Sequence, residues 1–171
     1  IKIGIETGNE WLRNQIIKKQ LSNDQIVKAF SLARKYKIKT AAYNIIGFPY
    51  ETEDMIKETW NLNQKIQPDL LVINIFQPFL YTDLWNTCLK KGYLKKIKQL
   101  NLDFRRPVLN LPTISKEKLS FYFDKFDDWM VRSSVKTLHP LFYPAYRLLE
   151  FFWRSRTKKI FRFSRDLFGK I

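Results

Sequence analysis

The feature that most constrains this chain is a repeated order of short apolar strand, polar or Gly/Pro turn, and helical pattern. The most distinctive copy is the apolar run 41–46, which ends in Gly47-Phe48-Pro49-Tyr50-Glu51-Thr52. Comparable stretches flank it: Ile3-Gly4-Ile5-Glu6-Thr7-Gly8 comes before and Ile73-Asn74-Ile75-Phe76-Gln77-Pro78-Phe79 comes after. Strands that alternate with helices of this length predict an α/β fold with a parallel sheet and right-handed crossovers.

The start and end signals of the helices support this order. Ser22 followed by Gln25 has the capping-box pattern of a helix N-terminus. Thr52 and Thr82 are followed by acidic residues, which suit the positive end of a helix dipole. The predicted strands are 2–6, 40–46 and 70–76, and a long helix with an apolar stripe over 119–130 is predicted to begin at Ser115.

Polar residues interrupt each predicted strand. Glu6 alternates with isoleucines in the first strand, Asn44 opposes Ile45 in the second, and Asn74 lies between two isoleucines in the third. Parallel strands that are buried on both faces usually read as continuous apolar runs. The pattern therefore predicts that one face lines a cavity. Single buried asparagines that satisfy a neighbour are the alternative.

Three strand–helix units cannot close a barrel, because they leave two parallel edges without partners. The chain also opens inside a strand pattern and without Met. We therefore expect a fragment whose sheet is completed by another part of the protein, a missing N-terminal half.

Ligands in parallel α/β folds bind at the carboxyl ends of the strands. Those ends are Glu6-Thr7-Gly8, Gly47-Phe48-Pro49 and Gln77-Pro78. Glu6 can accept hydrogen bonds from a ribose or an ammonium group, and Lys19 offers a cation for a carboxylate if its helix ends toward the site. The same glycines and prolines are also the ordinary means of making strand–helix turns.

Taken together and in order, these stretches resemble radical S-adenosylmethionine enzymes, most closely the class that often carries an upstream cobalamin-binding domain. The resemblance covers residues 1–94, and Pro112-Thr113-Ile114-Ser115 with its following helix is similar to the helical extension of that class. It implies a partial (β/α) TIM-like barrel over 1–94 and a mostly α-helical, basic extension over 95–171.

The resemblance also implies a cofactor site and its chemistry. The parent enzyme would cleave S-adenosylmethionine reductively at a [4Fe–4S] cluster, giving a 5′-deoxyadenosyl radical or a cobalamin-assisted methyl transfer, and no catalytic residue is assigned. Its substrate would be a small or lipid-like molecule. The implied S-adenosylmethionine-binding residues are Glu6, Thr7, Gly8, Lys19, Asn44, Ile45, Gly47, Asn74, Gln77 and Pro78.

The chain departs from that family in three places. The Cys-x3-Cys-x2-Cys motif is absent and Cys88 is the single cysteine, so no metal ligand is predicted here and the cluster ligands are expected in the missing N-terminal part. Cys88 is predicted to be a buried packing thiol. Gln20 stands where the family often has Gly, and Phe79-Leu80-Tyr81 stands where Tyr-Pro-Gly is common.

The net charge of +15 is unevenly distributed. Residues 132–171 hold ten Lys/Arg and two Asp/Glu, and residues 154–168 interleave basic residues with phenylalanines. Such a tail suits a membrane surface or, less well, RNA, with a solvated or interdomain surface as the alternative. A cytoplasmic protein, in some settings peripheral to the membrane, is expected.

Two other functions stay open at this stage. The first is a non-catalytic truncated barrel that acts as a binding or scaffold subunit at an anionic surface. The second is a conventional nucleotide-binding domain that uses Glu6 and Gly47, although the chain has no Gly-rich phosphate loop.

Overall fold

A computed structural model describes residues 1–94 and 103–154 of the chain. Within these residues three strands form one parallel sheet in the order β1 (Lys2–Glu6), β2 (Ala41–Ile46), β3 (Leu70–Ile75). Gly4 pairs with Tyr43 and Ile45 pairs with Asn74, so each pair shares a face of the sheet. The predicted parallel α/β arrangement is confirmed. The second strand starts one residue later than predicted, and the third ends one residue earlier.

The helices begin where their capping residues predict. Ser22 and Gln25 form the complete capping box, and the hydroxyls of Thr52 and Thr82 each accept a hydrogen bond from a backbone N–H in the first turn of their helices. A π-helical turn, Leu12–Ile16, lies between β1 and the first capped helix. The remaining elements are α1 (Asn23–Lys35), α2 (Glu53–Ile66), α3 (Asp83–Lys90), α4 (Lys116–Leu138) and α5 (Tyr143–Arg154).

One face of the sheet carries most of the core. Ile5 and Ala42 pack with apolar residues of α1 and α2, and Ile73 packs with residues of α2 and α4. The predicted stripe of α4 lies in this core, where Phe126 is fully buried and stacks edge-on against Trp60 at 5.0 Å between ring centroids. Burial of this face is the main stabilising contribution to the unit.

The opposite face of the sheet is only half-buried. Tyr43, Ile45, Val72 and Asn74 all retain partial access to solvent, whereas the alternating residues of the same strands are buried. This face will be called the open face. In β3 the polar residue Asn74 is on the open face, as predicted. In β2 the order is reversed, because the apolar Ile45 is on the open face and the polar Asn44 is on the other face.

The chain divides into two compact units, the first of which is Ile1–Ser133 and the second of which begins at Ser134. The predicted boundary at residue 94 borders residues outside the described part, and it stays a prediction. The predicted basic tail, beyond Arg154, also lies outside the described residues. Among the described residues, no helix has both the length and the apolar character that crossing a bilayer requires.

Candidate functional site

An ion pair lies at the carboxyl end of β1. The ammonium group of Lys19 is 2.7 Å from Oε1 of Glu6 and donates a second hydrogen bond, of 2.6 Å, to the carbonyl of Gly4. The Lys19 and Glu6 side chains keep about a third and a fifth of their surface exposed (33% and 21%). Both predicted residues are thus brought together, and both stay accessible to a ligand.

The absence of a side chain at Gly4 makes room for this pair. A Cβ at Gly4 would lie 2.4 Å from Oε1 of Glu6 and 2.7 Å from Nζ of Lys19, closer than atoms can approach. Because Gly4 and Tyr43 are paired, the ion pair belongs to the open face. The glycine therefore has a steric role that its place within a strand did not predict.

The backbone around the ion pair is strained. A β-bulge lies between Gly4 and Glu6, and Glu6 has a φ of 65°. Lys18 and Gln20, on either side of Lys19, have φ of 60° and 48°. Non-glycine residues adopt this left-handed region at a cost, and such residues concentrate at functional sites.

Arg13 binds backbone carbonyls at the end of β1, a role that the sequence did not predict. Its guanidinium is fully buried and donates to the carbonyls of Ile5 (3.1 Å), Leu21 (2.8 Å) and Thr7. Burial lowers the pKa of Arg13 from its ordinary value, while nearby glutamates oppose that change. A basic residue in a helical stretch carries no sequence signal for burial, so only the packing identifies it.

Thr7 and Gly8 lie between β1 and α2 instead of facing the open side. The hydroxyl of Thr59 accepts a 2.8 Å hydrogen bond from the Gly8 N–H and lies 3.1 Å from the Thr7 hydroxyl. A Cβ on Gly8 would sit 2.4 Å from the carbonyl oxygen of Glu58. Gly8 therefore permits close approach of a helix backbone, as glycine often does, and not of a ligand in this structure.

The two predicted asparagines lie on opposite faces of the sheet. Asn44 is fully buried and exchanges hydrogen bonds with the side chain of Asn63 on α2. For Asn44, the alternative interpretation is therefore correct: it is a buried asparagine that satisfies the hydrogen bonds of a neighbour. Asn74 and its register partner Ile45 are instead half-buried on the open face, the same face as the ion pair.

The turn after β2 is closed by a buried carboxyl group. Oε2 of Glu51 accepts hydrogen bonds from the N–H groups of Gly47 and Phe48, the latter at 3.2 Å. Burial raises the pKa of Glu51 to about 8, although the two N–H groups oppose that shift. Helix α2 begins at Glu53, and the side chain of Glu51 folds back into the turn that precedes it.

Gln77 and Pro78, at the end of β3, are also buried. The amide nitrogen of Gln77 donates to the carbonyls of Asp103 (3.0 Å) and Arg106 (2.9 Å). Gln77 therefore secures the segment that follows residue 102 against the end of the sheet. Gln77 thus contributes to the rim by positioning this segment, and its amide nitrogen does not face the open face.

The predicted site thus separates into two groups. Glu6, Lys19, Ile45 and Asn74 share the open face. The other predicted residues belong to the scaffold that supports this face: Thr7, Gly8, Asn44, Gly47, Gln77 and Pro78.

Metal-binding chemistry finds no support in the described part of the chain, where no three His, Cys, Asp or Glu side chains form a group. Cys88 is buried in α3, and burial raises the pKa of its thiol to about 11. A thiol in this state is a poor metal ligand, because the thiolate is the form that binds metals. The prediction of a buried packing thiol is confirmed.

Comparison with known proteins gives a distant relationship to archaeal proteins. An uncharacterized protein of Methanocaldococcus jannaschii is 31% identical over 105 residues, which cover 58% of this chain and 23% of that protein. An uncharacterized methyltransferase of Pyrococcus horikoshii is 25% identical over 120 residues, which cover 70% of this chain and 26% of that protein. No protein-family model matches the chain.

A second uncharacterized protein of M. jannaschii is 42% identical over 53 residues, or 31% of this chain and 14% of the relative. The chain therefore spans about a quarter or less of each of these relatives. The name of the Pyrococcus protein describes that relative as a methyltransferase.

Proposed function

We propose that this chain is the part of a larger S-adenosylmethionine-dependent enzyme, of the radical type, that binds the amino-acid end of the cofactor. The observation that carries the proposal is the accessible Glu6–Lys19 pair at the carboxyl end of β1. The distant relationship to a protein named as a methyltransferase supports the same class of cofactor.

The chemistry of the pair matches that end of the cofactor. S-adenosylmethionine carries an ammonium and a carboxylate on one carbon, and it supplies a methyl group or an adenosyl fragment when bound. Glu6 would accept from the ammonium, and Lys19 would donate to the carboxylate, so that one ligand satisfies both charges. Ile45, on the same open face, offers an apolar surface for the adenine ring.

The sheet supports the proposal that other strands complete a barrel. Helices α1, α2 and α4 pack against one face of the sheet, and in a (β/α) barrel the helices likewise cover the outer face. The open face keeps partial solvent access. β1 is at the edge of the sheet. Edges of parallel strands are usually paired or covered, so further strands beside β1 would remove this exposed edge.

The residues of this chain do not fit an iron–sulfur cluster. A cluster of this type is held by several thiolates, and the chain has one cysteine, which is buried and protonated. In this proposal the cluster ligands belong to another part of the protein. A cobalamin-binding domain, implied by the resemblance alone, stays a prediction.

The proposal is tested by equilibrium dialysis of the 171-residue chain against labelled S-adenosylmethionine. Lys19→Gln and Glu6→Gln should each weaken binding by about tenfold or more, since each removes a charge-assisted hydrogen bond. Binding of 5′-methylthioadenosine, which lacks the amino-acid end, should be the same in wild type and in both variants.

Lys18→Gln is the matched control. Lys18 is the neighbouring lysine and pairs with Asp83 at 2.8 Å, and both side chains are highly exposed. This variant should bind S-adenosylmethionine as the wild type does. The proposal is wrong if the wild-type chain does not bind the cofactor, or if Lys19→Gln binds it unchanged.

A further inference from the structure

The second unit presents an apolar surface to solvent. Leu141 and Phe142, just before α5, are 91% and 70% exposed, and Leu148 and Leu149, within α5, are 62% and 61% exposed. Phe142 directly precedes the helix, and Leu148 and Leu149 are adjacent within it. These four exposed side chains will be called the α5 apolar face.

Burial in this segment is the reverse of that in an ordinary surface helix. The leucines are exposed, while the carboxylate of Glu150 is buried and lies 3.3 Å from the guanidinium of Arg147. A helix in a water-soluble unit normally buries its leucines and exposes its glutamates. The α5 apolar face thus lacks cover among the described residues of its unit.

The charge of the surrounding sequence indicates what covers this face. Residues 132–171 hold ten basic and two acidic residues, a balance of +8. Excess Lys and Arg next to an apolar helix face is the pattern of helices that lie in the interface of an anionic bilayer. The apolar side chains enter the acyl region, and the basic residues remain among the lipid phosphates.

We propose that the α5 apolar face docks on an anionic lipid surface and holds the protein at the membrane. The exposed residues favour lipid over RNA, because three of the four are leucines, which offer no aromatic ring for stacking on bases. The excess of positive charge favours anionic lipid over an apolar protein partner, because an apolar partner would gain nothing from that charge. This inference does not depend on the proposed S-adenosylmethionine site, and the two tests fail independently.

The experiment is co-sedimentation of the 171-residue chain with phosphatidylcholine vesicles that contain or lack phosphatidylserine, at low and high salt. We expect binding to the phosphatidylserine vesicles, weaker at high salt. The double substitution Leu148→Ser with Leu149→Ser should weaken this binding by at least about tenfold, because two inserted side chains are lost.

Leu32→Ser is the matched control, since Leu32 is a 54% exposed leucine on α1 of the first unit. It should bind vesicles as the wild type does. A second variant, Leu141→Ser, tests the same face outside the helix, and circular dichroism checks that each variant is folded. The proposal is overturned if the double variant binds vesicles as the wild type does, or if Leu32→Ser loses as much binding as the double variant. It is also overturned if the chain binds RNA and does not bind vesicles.

Discussion

The side chains of Asn44 and Asn63 form a reciprocal hydrogen-bonded pair between β2 and α2. The amide nitrogen of Asn63 donates to Oδ1 of Asn44 at 2.7 Å, and that of Asn44 donates to Oδ1 of Asn63 at 3.2 Å. Both residues are fully buried. Each amide therefore replaces the water that the other lost on folding.

Removal of one partner should be costly and removal of both much less so. Asn44→Leu and Asn63→Leu should each lower the free energy of unfolding by about 1–3 kcal/mol, since each leaves a buried amide without its partner. The double variant should lose clearly less than the sum of the two. A double-mutant cycle measured by urea denaturation checks this coupling.

Asn61→Leu is the control for this cycle, because Asn61 is an exposed asparagine on the same helix. Its effect should be within about 0.5 kcal/mol, as for most surface substitutions. Strict additivity of the Asn44 and Asn63 effects would contradict the reciprocal pair.

Glu51 should make the protein less stable as the pH rises. Burial raises the pKa of Glu51 from its ordinary value of 4.5 to about 8, so the folded state binds a proton that the unfolded state has released between these pH values. Folding is therefore favoured at the acid end of this window, and the free energy of unfolding should fall through it by a few kcal/mol (on the order of 1.4 kcal/mol per pKa unit). Chemical denaturation at a series of pH values measures the slope.

Glu51→Gln should remove this slope while keeping an oxygen for the N–H groups of Gly47 and Phe48. Glu53→Gln is the matched control. The hydrogen bond from Tyr122 and the nearby Lys118 lower the pKa of Glu53, so its stabilising effect is present at neutral pH and is lost as the pH falls. A slope between pH 4.5 and about 8 that survives in Glu51→Gln would show that another group causes it.

Tyr81→Gly should stabilise the protein. Tyr81 is 89% exposed and has a φ of 66°, a left-handed conformation that glycine adopts without a steric penalty. The expected gain in the free energy of unfolding is about 0.5–1 kcal/mol, after allowance for the greater freedom of glycine in the unfolded chain. Thermal or urea unfolding measures it.

Tyr36→Gly provides the opposite expectation on a similar side chain. Tyr36 is also largely exposed, but its φ is −94°, where glycine has no advantage. This substitution should lower the stability by about 0.5–1 kcal/mol. Stabilisation by both substitutions, or by neither, would contradict the role of the left-handed conformation.

Gln20 and Tyr81 have the same structural setting. Both have positive φ, 48° and 66° respectively. Residues other than glycine adopt this left-handed conformation at a cost. The sequence does not show this cost, because it depends on the backbone conformation of each turn.

The order of strands and helices was predictable because local residues decide it. Alternating isoleucines favour a strand, and Ser22, Thr52 and Thr82 satisfy N–H groups within their own first turns. The parallel arrangement followed from the lengths of the connections. These interactions lie within a few residues along the chain, so the sequence contains them directly.

The direction of each polar side chain was less predictable. The β-bulge at Glu6 changes which residues share a face, and Asn44 turned out to face α2. Burial of Glu51 and Arg13 depends on the segments that pack around them. Near Glu51, for example, the hydroxyl of Thr113 donates to the Glu51 backbone carbonyl at 2.5 Å. No local pattern distinguishes a buried glutamate or arginine from an exposed one.

The sequence by itself therefore determined the strand–helix order and the parallel sheet. The tertiary structure decided that Lys19 lies beside Glu6, which predicted residues face the open side and which belong to the scaffold. The physical reason is that strand and helix formation depends on neighbours along the chain, whereas burial and hydrogen-bond partners depend on which elements pack against each other.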